Sequence, residues 1–184
     1  MDYFFASDIH GSAFYAEKML DAFERSKAGK MILLGDILYH GPRNDLPEGY
    51  DPKKVISLLN PYREKILAVR GNCDAEVDQM VLSFPIMADY AYMVLNGVAF
   101  YITHGHKWNP ENLPPMAGGT AFMYGHVHLP KAEKTGDIYI LNPGSVSIPK
   151  GGYASSYAVL KDRTFSIRDF EGHTIKEITL EQTV

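Results

Sequence analysis

A chain of 184 residues, 46% of them hydrophobic, is long enough for one sizeable core and reads as a single domain over 1–184. Its 18 Lys and Arg against 22 Asp and Glu leave a net charge of −4, which argues against a broad basic track for nucleic acid. No apolar run approaches the roughly 18 residues of a membrane span, the start "MDYFFASDIH" lacks a basic leader region, and one cysteine cannot close an intrachain disulfide, so the residues read as a cytoplasmic protein without a membrane partner.

The run "DYFFAS" is short and apolar and reads as a buried strand. In "SAFYAEKMLDAFERSKAG", Ser12 is placed to cap a helix, Ala16, Met19, Leu20 and Phe23 share one face, and Gly29 is expected to close it. "KMILLGD" is a second buried strand, and the Pro-, Gly- and Asn-rich residues 39–50 must be a loop. "DPKKVISLLNPYR" reads as a short helix capped by Asp51 with Pro52 at its first position, and "KILAVRGN" as a third strand. Strand, helix, strand, helix, strand points to a parallel α/β layer. Beyond it the texture turns to β. Asn96-Gly97 sits between two β-rich runs as a hairpin signal, and "TAFMYGH", "DIYILNPGS", "SSYAVLKDRTFSIRDF" and "HTIKEITLE" add further short strands. The residues therefore predict a mixed, two-layer β core with flanking helices.

The ends of these strands carry the chemistry. In open α/β sheets ligands bind at the carboxyl ends of strands. Here those ends hold Asp8 and His10, Asp36, then Asn72, Cys73 and Asp74; the β half adds "THGH" (His104, His106) and "YGHVH" (His126, His128). Any one of these segments would pass as a turn or an exposed strand position. Together they form a set of imidazoles, carboxylates and an amide, which suits Mn, Fe, Zn or Co rather than an all-oxygen cage. No thiolate cluster marks a structural zinc site. The set exceeds the needs of one ion and suits two sharing a bridging carboxylate, an arrangement that can clamp the attacking and leaving oxygens of a phosphoryl transfer.

Asp8-x-His10, Gly35-Asp36, Gly71-Asn72-Cys73-Asp74, Thr103-His104-Gly105-His106 and Gly125-His126-x-His128, in that order, resemble the calcineurin-like metallophosphoesterase superfamily. The short chain, the Cys after the Asn and "NPGSVSIPKGG" look like its small bacterial and archaeal phosphodiesterases, the YfcE type. The resemblance covers roughly residues 3–160. It implies a four-layer α/β/β/α sandwich with mixed sheets and a dinuclear site of divalent transition-metal ions, Mn2+ foremost, with Zn2+, Fe2+, Co2+ or Ni2+ as alternatives. Asp8, His10 and His128 are expected on the first ion, Asp36 as the bridge, and Asn72, His104 and His126 on the second. The implied activity is hydrolysis of small phosphodiesters by in-line attack of a metal-bound hydroxide, with Asp36 and Asn72 catalytic, the latter stabilising charge on the equatorial oxygens.

Cys73, Arg43 and His106 are the substrate-binding candidates. Many phosphomonoesterases of the superfamily carry His at the Cys73 position, where an imidazolium attracts phosphate and protonates a departing alkoxide. A thiol, with an ordinary pKa of about 8.5, does neither well, so Cys73 is expected to favour diesters and good leaving groups, or else simply to pack against the third strand. Arg43 either reaches the substrate or pairs with Asp45, and His40 and Lys150 are similar cases. His106 is either a substrate contact or a backbone-bonded loop residue. The Pro-rich residues 107–118 are expected to wall the pocket, and His173 to lie on the surface. Rival readings are a non-catalytic scaffold like the Vps29 subunit of retromer, a dinuclear hydrolase of non-phosphate esters, and a nuclease. Oligomeric state stays open, because the Tyr-rich "DYAYM" segment fits either an interface between copies or the core.

Overall fold

The protein, described here by a computed structural model over residues 1–183, is built on two β-sheets. Strands β1 (Tyr3–Ala6), β2 (Lys30–Leu33) and β3 (Ile66–Ala68) pair in parallel, β1 with β2 and β2 with β3. Helix α1 (Ala13–Ser26) connects the first two, and α2 (Pro52–Leu59), continued by a single 3-10 turn over Asn60–Tyr62, connects the second and third. A short helix α3 (Glu76–Gln79) follows β3. The second sheet contains β4 (Tyr90–Leu95), β5 (Val98–Thr103), β6 (Ala121–Met123), β7 (Lys131–Thr135) and β8 (Ile138–Asn142), in the order β4-β5-β6-β8-β7. The chain then returns to the first sheet through β9 (Ser156–Lys161), β10 (Thr164–Asp169) and β11 (Thr174–Thr179), giving the order β11-β10-β9-β1-β2-β3.

Alternation along the strands sorts the core. Phe4, Ala6, Met31 and Leu33 face the helices and pack with Ala16, Met19, Leu20 and Phe23 of α1. Their neighbours Phe5, Ile32 and Leu34 face the second sheet and meet Phe100, Ile102, Met123 and Leu141. Each fully buried Phe in this layer, such as Phe5 or Phe100, contributes roughly 1.5–3 kcal/mol. The outward face of the second sheet presents Tyr101, Phe122, Tyr124 and Ile140. What covers that face is not a helix but the Pro-rich segment 107–118, through Trp108 and Met116.

Most predicted elements are present. Asn96 (φ 50°) and Gly97 (φ 80°) make the tight turn between β4 and β5. Ser12 caps α1 by accepting from the Tyr15 N–H at 3.1 Å, and Asp51 caps α2 from Lys54 at 3.0 Å. Two details differ. Helix α1 ends earlier than Gly29, with Lys27 in the left-handed position (φ 57°) and Ser26 Oγ satisfying the Phe23 carbonyl at 2.7 Å. Strand β7, "KAEKT", has no apolar alternation and exists because its backbone pairs with β8 at a sheet edge. No helix among the described residues is long and apolar enough to cross a membrane.

Candidate metal centre

The carboxyl ends of β1, β2 and β3 meet those of β5, β6 and β8 where the two sheets converge. The chain must turn sharply there to aim side chains inward. Asp8 (φ 60°), His10 (φ 49°), Asp36 (φ 55°), His126 (φ 65°) and His128 (φ 61°) all adopt the left-handed backbone. Such conformations cost of order 1 kcal/mol or more each for residues with a Cβ and persist only where their surroundings impose them. Backbone bonds impose them here: Asp8 N to Gly35 O at 3.1 Å, His10 N to Asp36 O at 2.9 Å and Gly125 N to His104 O at 2.8 Å. The packing is close enough that a Cβ at Gly71 would collide with the Asp36 carboxylate, and one at Gly125 with Ser7 Oγ.

Three histidines are held alike. The Nδ1–H of His10 donates to the Tyr39 carbonyl at 2.8 Å, that of His104 to Leu34 at 2.6 Å and that of His128 to Ile148 at 2.6 Å. A carbonyl can only accept, so each ring is fixed in the tautomer that turns its Nε2 inward. These inward nitrogens meet other acceptors. His10 Nε2 lies 3.3 Å from His128 Nε2. His104 Nε2 lies 3.0 Å from Asn72 Oδ1 and 3.3 Å from Asp36 Oδ2. Asp8 Oδ1 is buried with no hydrogen-bond partner and sits 3.1 Å from His128 Nε2. Acceptors gathered this way need a proton or a cation between them.

The donor sets fit a divalent ion. Asp8, His10 and His128 bring one ligand atom each within 4.8 Å of one another, as do Asp36, His104 and His126, and as do His10, Asp36 and Cys73. Asp36 borders both main groups, 3.3 Å from His104 and 3.8 Å from His10. All seven residues expected as ligands therefore converge, with Asn72 reaching the centre through its contact with His104.

The electrostatics follow from burial and pairing. Burial pushes the Asp8 carboxyl up, but the close His10 and His128 imidazoles outweigh it and hold it well below the usual range. Burial lowers His104, yet the Asp36 carboxylate more than compensates and raises it to about 9. A raised histidine stabilises the fold fully below its unfolded pKa of 6.5, and that contribution is lost as pH rises through about 9. The chelator-stripped protein should therefore lose thermal stability across this window. A divalent ion held by His104 would take the place of the Nε2 proton, so the gain in melting temperature from added metal should grow over the same window. Thermal scans with and without metal check both slopes.

Several residues that support the centre carry no periodic signal. Buried Asp74 accepts from Gly71 N at 2.7 Å and Asp36 N at 2.8 Å with one oxygen, and from Ile37 N at 2.9 Å with the other. It ties the turn after β3 to the turn after β2. Ser145 and Ser147 donate to the Asp8 carbonyl at 3.0 and 3.1 Å, and Asn142 donates to the Gly125 carbonyl at 2.9 Å. The stretch "NPGSVS" is thus a buttress behind the first ligand set.

The remaining candidates separate. Cys73 and Arg43 line a cleft of about 540 Å3 over the centre, together with Asn44 and Lys150. Among the described residues Arg43 makes no ion pair, so the Asp45 pairing is not seen. Burial pushes the Cys73 thiol up to about 12, and the Asp36 carboxylate adds to the shift. His106 does not line this cleft. It faces a neighbouring groove of about 470 Å3, its Nδ1 buried without a partner, and burial beside His104 and His126 lowers it to about 4. The 107–118 segment does not wall the cleft either; Asn109, Pro110 and Glu111 border that same groove. His40 packs between Tyr39 and Tyr50, and His173 is exposed beside Asp169.

Comparison with known proteins agrees with this geometry. The model of the calcineurin-like phosphoesterase superfamily domain matches residues 1–164. Phosphodiesterase YfcE of Escherichia coli is 52% identical over 167 residues, 91% of each chain. The solved structure of YfcE, described as a phosphoesterase, superposes with a TM-score of 0.96 at 48% identity over 98% of this chain and 100% of that one. Phosphodiesterase MJ0936 of Methanocaldococcus jannaschii is 27% identical over 69% of this chain and 75% of its own. Vps29 of Chaetomium thermophilum shares the fold alone, with a TM-score of 0.64 at 11% identity over the full length of both chains. With a family model spanning most of its length and a half-identical relative along nearly all of it, the chain belongs to the calcineurin-like phosphoesterase superfamily.

Proposed function

We propose that the protein is a metal-dependent phosphodiesterase acting on small phosphodiesters with good leaving groups. The observation that carries it is the completeness of the centre: Asp8, His10, Asp36, Asn72, His104, His126 and His128 all offer ligating atoms in one place. Folding alone has no use for five left-handed non-glycine residues aimed at one point. The likeness to YfcE, which is named a phosphodiesterase, supports the substrate class.

Asp8, His10 and His128 would hold one divalent ion, Asn72, His104 and His126 a second, and Asp36 would bridge; the mixed imidazole and oxygen set suits Mn2+, Fe2+, Zn2+, Co2+ or Ni2+, with Mn2+ put first by the family resemblance. Bound ions supply Lewis acidity that activates water and neutralises phosphate charge. The chain's own residues do the rest. Backbone carbonyls behind the three imidazoles keep Nε2 free and oriented. The Asn72 amide nitrogen donates to Cys73 Sγ at 3.2 Å and lines the cleft, where its second N–H would serve a phosphoryl oxygen. Arg43 and Lys150 bring positive charge to the mouth of the cleft.

Burial and the Asp36 carboxylate push the half-buried Cys73 thiol up, which makes it a poorer proton donor to a departing alkoxide than an imidazolium would be. An imidazolium attracts a dianionic monoester more than a monoanionic diester, so replacing Cys73 with His should raise the rate on an aryl phosphomonoester relative to the matching bis-aryl phosphodiester by about tenfold or more. An unchanged ratio would reduce Cys73 to a packing role.

The scaffold reading has less support. The Vps29 likeness is one of fold, and a site that only docks a partner has no need of a full ligand set. The expected partner is a small phosphodiester, not nucleic acid or membrane. Exposed Tyr90, Tyr92 and Val94 on edge strand β4 favour association between copies of the chain, which sedimentation would read.

A further inference from the structure

A phosphodiester has two ester arms, and the centre is flanked by two concave surfaces that differ in chemistry. His126 and Val127 form the wall between them and line both. On one side lies the cleft with Arg43 and Lys150, neither of which makes an ion pair among the described residues. On the other lies the groove of about 470 Å3, bordered by Pro110, Tyr124, Leu129, Pro130 and Tyr153.

The groove has an apolar character that its charged residues do not undo. Lys131 is paired with Glu133 at 3.0 Å, and Lys176 lies over the Tyr153 ring at 6.0 Å. Lys131 is thus offset by Glu133, Lys176 is drawn toward a ring, and Glu111 is the carboxylate left to repel an anion. Leu129 is 39% exposed, Tyr153 38% and Val127 37%, side chains of a kind that gain from being covered. This surface offers a phosphate less free positive charge than the Arg43 and Lys150 side, and more apolar side chain to an uncharged group.

During hydrolysis negative charge develops on the oxygen of the leaving arm and not on that of the arm that stays. The unpaired cations of Arg43 and Lys150 stabilise such charge; an apolar groove does not. Resting on the phosphodiesterase reading, we infer that the groove beyond Val127 seats the ester arm retained on phosphorus, that this arm is apolar or aromatic, and that the leaving arm lies on the Arg43 and Lys150 side. Water then adds to phosphorus and gives up a proton to solvent, the bond from phosphorus to the leaving oxygen breaks, and that oxygen departs as an oxyanion that takes a proton from solvent to become the free alcohol. The groove arm departs as its phosphomonoester. The residues that select substrate are accordingly Leu129 and Tyr153, neither of which belongs to a family motif in the sequence.

The test is a Leu129→Ala/Tyr153→Ala variant of the full chain loaded with Mn2+. Both side chains are more than a third exposed, so the fold should survive, which a thermal scan checks. Two diesters with the same aryl leaving group are compared, one retaining an aryl arm and one retaining methyl. The ratio of KM for the bis-aryl ester to KM for the methyl aryl ester should rise about tenfold in the variant, with kcat on the bis-aryl ester within about twofold. A second readout needs no turnover: the preference for phenylphosphonate over methylphosphonate, measured by titration calorimetry, should fall by a similar factor. An unchanged KM ratio and an unchanged binding preference would overturn the inference. Wild-type protein that hydrolyses neither ester would sink the phosphodiesterase reading, and the binding preference would still decide the groove. Should the double variant unfold, Leu129→Ala alone should move both readouts the same way by about threefold.

Discussion

An Asp36→Ala variant should lose metal-restored phosphodiester turnover by about a thousandfold or more. Asp36 borders both main ligand groups through its side chain, 3.3 Å from His104 and 3.8 Å from His10. Under the proposed bridging role, metal content measured after dialysis should fall with activity. The fold should be affected far less. Asp36 Oδ1 accepts one backbone bond, from Cys73 N at 2.8 Å, and its loss also removes a negative charge held near Asp8. Asp36→Asn separates charge from shape. It keeps an acceptor for Cys73 and tolerates the left-handed backbone better than Ala, yet it should still bind metal about 10–100-fold more weakly. Full activity in Asp36→Ala would remove the bridging role.

An Asp74→Ala variant should be the most destabilised single change at the site. Its carboxylate is the common acceptor of three backbone N–H groups, from Asp36, Ile37 and Gly71, and it is 2% exposed. Leaving buried donors without an acceptor costs about 1–3 kcal/mol each, so a loss of roughly 3 kcal/mol or more is expected. For a chain of this size that is a fall in melting temperature of roughly 6–12 °C. Asp74 is a positioning residue that touches no ligand atom directly, so the conservative variant discriminates. Asp74→Asn should recover part of the stability, while metal affinity stays weakened because the Asp36 turn is no longer held by a single carboxylate. Equal melting temperatures for wild type and Asp74→Ala would show that water satisfies those N–H groups.

The sequence pattern carried the site further than it carried the fold. Each ligand follows an apolar run that is readable as a strand, and two residues of spacing between Asp8 and His10, or His126 and His128, are enough to mark them. The left-handed conformations that aim them depend on backbone bonds between distant loops, such as His10 N to Asp36 O, and no local pattern encodes those. Asp74 is visible in "GNCD", but its role appears only when the turn after β2 is brought against it. His106 shows the limit of motif reading: one residue from Gly105, it turns away from the cleft into the adjoining groove.

In the fold, strand β7 escaped because a polar edge strand has no hydrophobic alternation to read; its order comes from pairing Lys131–Thr135 with Ile138–Asn142. Helix α1 ends at Ser26 rather than near Gly29 because Ser26 Oγ satisfies a terminal carbonyl and Lys27 accepts the left-handed turn. The cover of the second sheet is a loop whose Trp108 and Met116 do the burying that a helix would do. Such tertiary burial by isolated side chains leaves no periodic trace in a sequence.

The most direct measurement is turnover of a bis-aryl phosphodiester by chelator-stripped protein as Mn2+ is returned. Turnover that is absent when stripped, returns with metal and is lost in Asp36→Ala is the predicted result. Tight binding of metal with no turnover of the diester would contradict a phosphodiesterase and place the chain with the non-catalytic members of its fold.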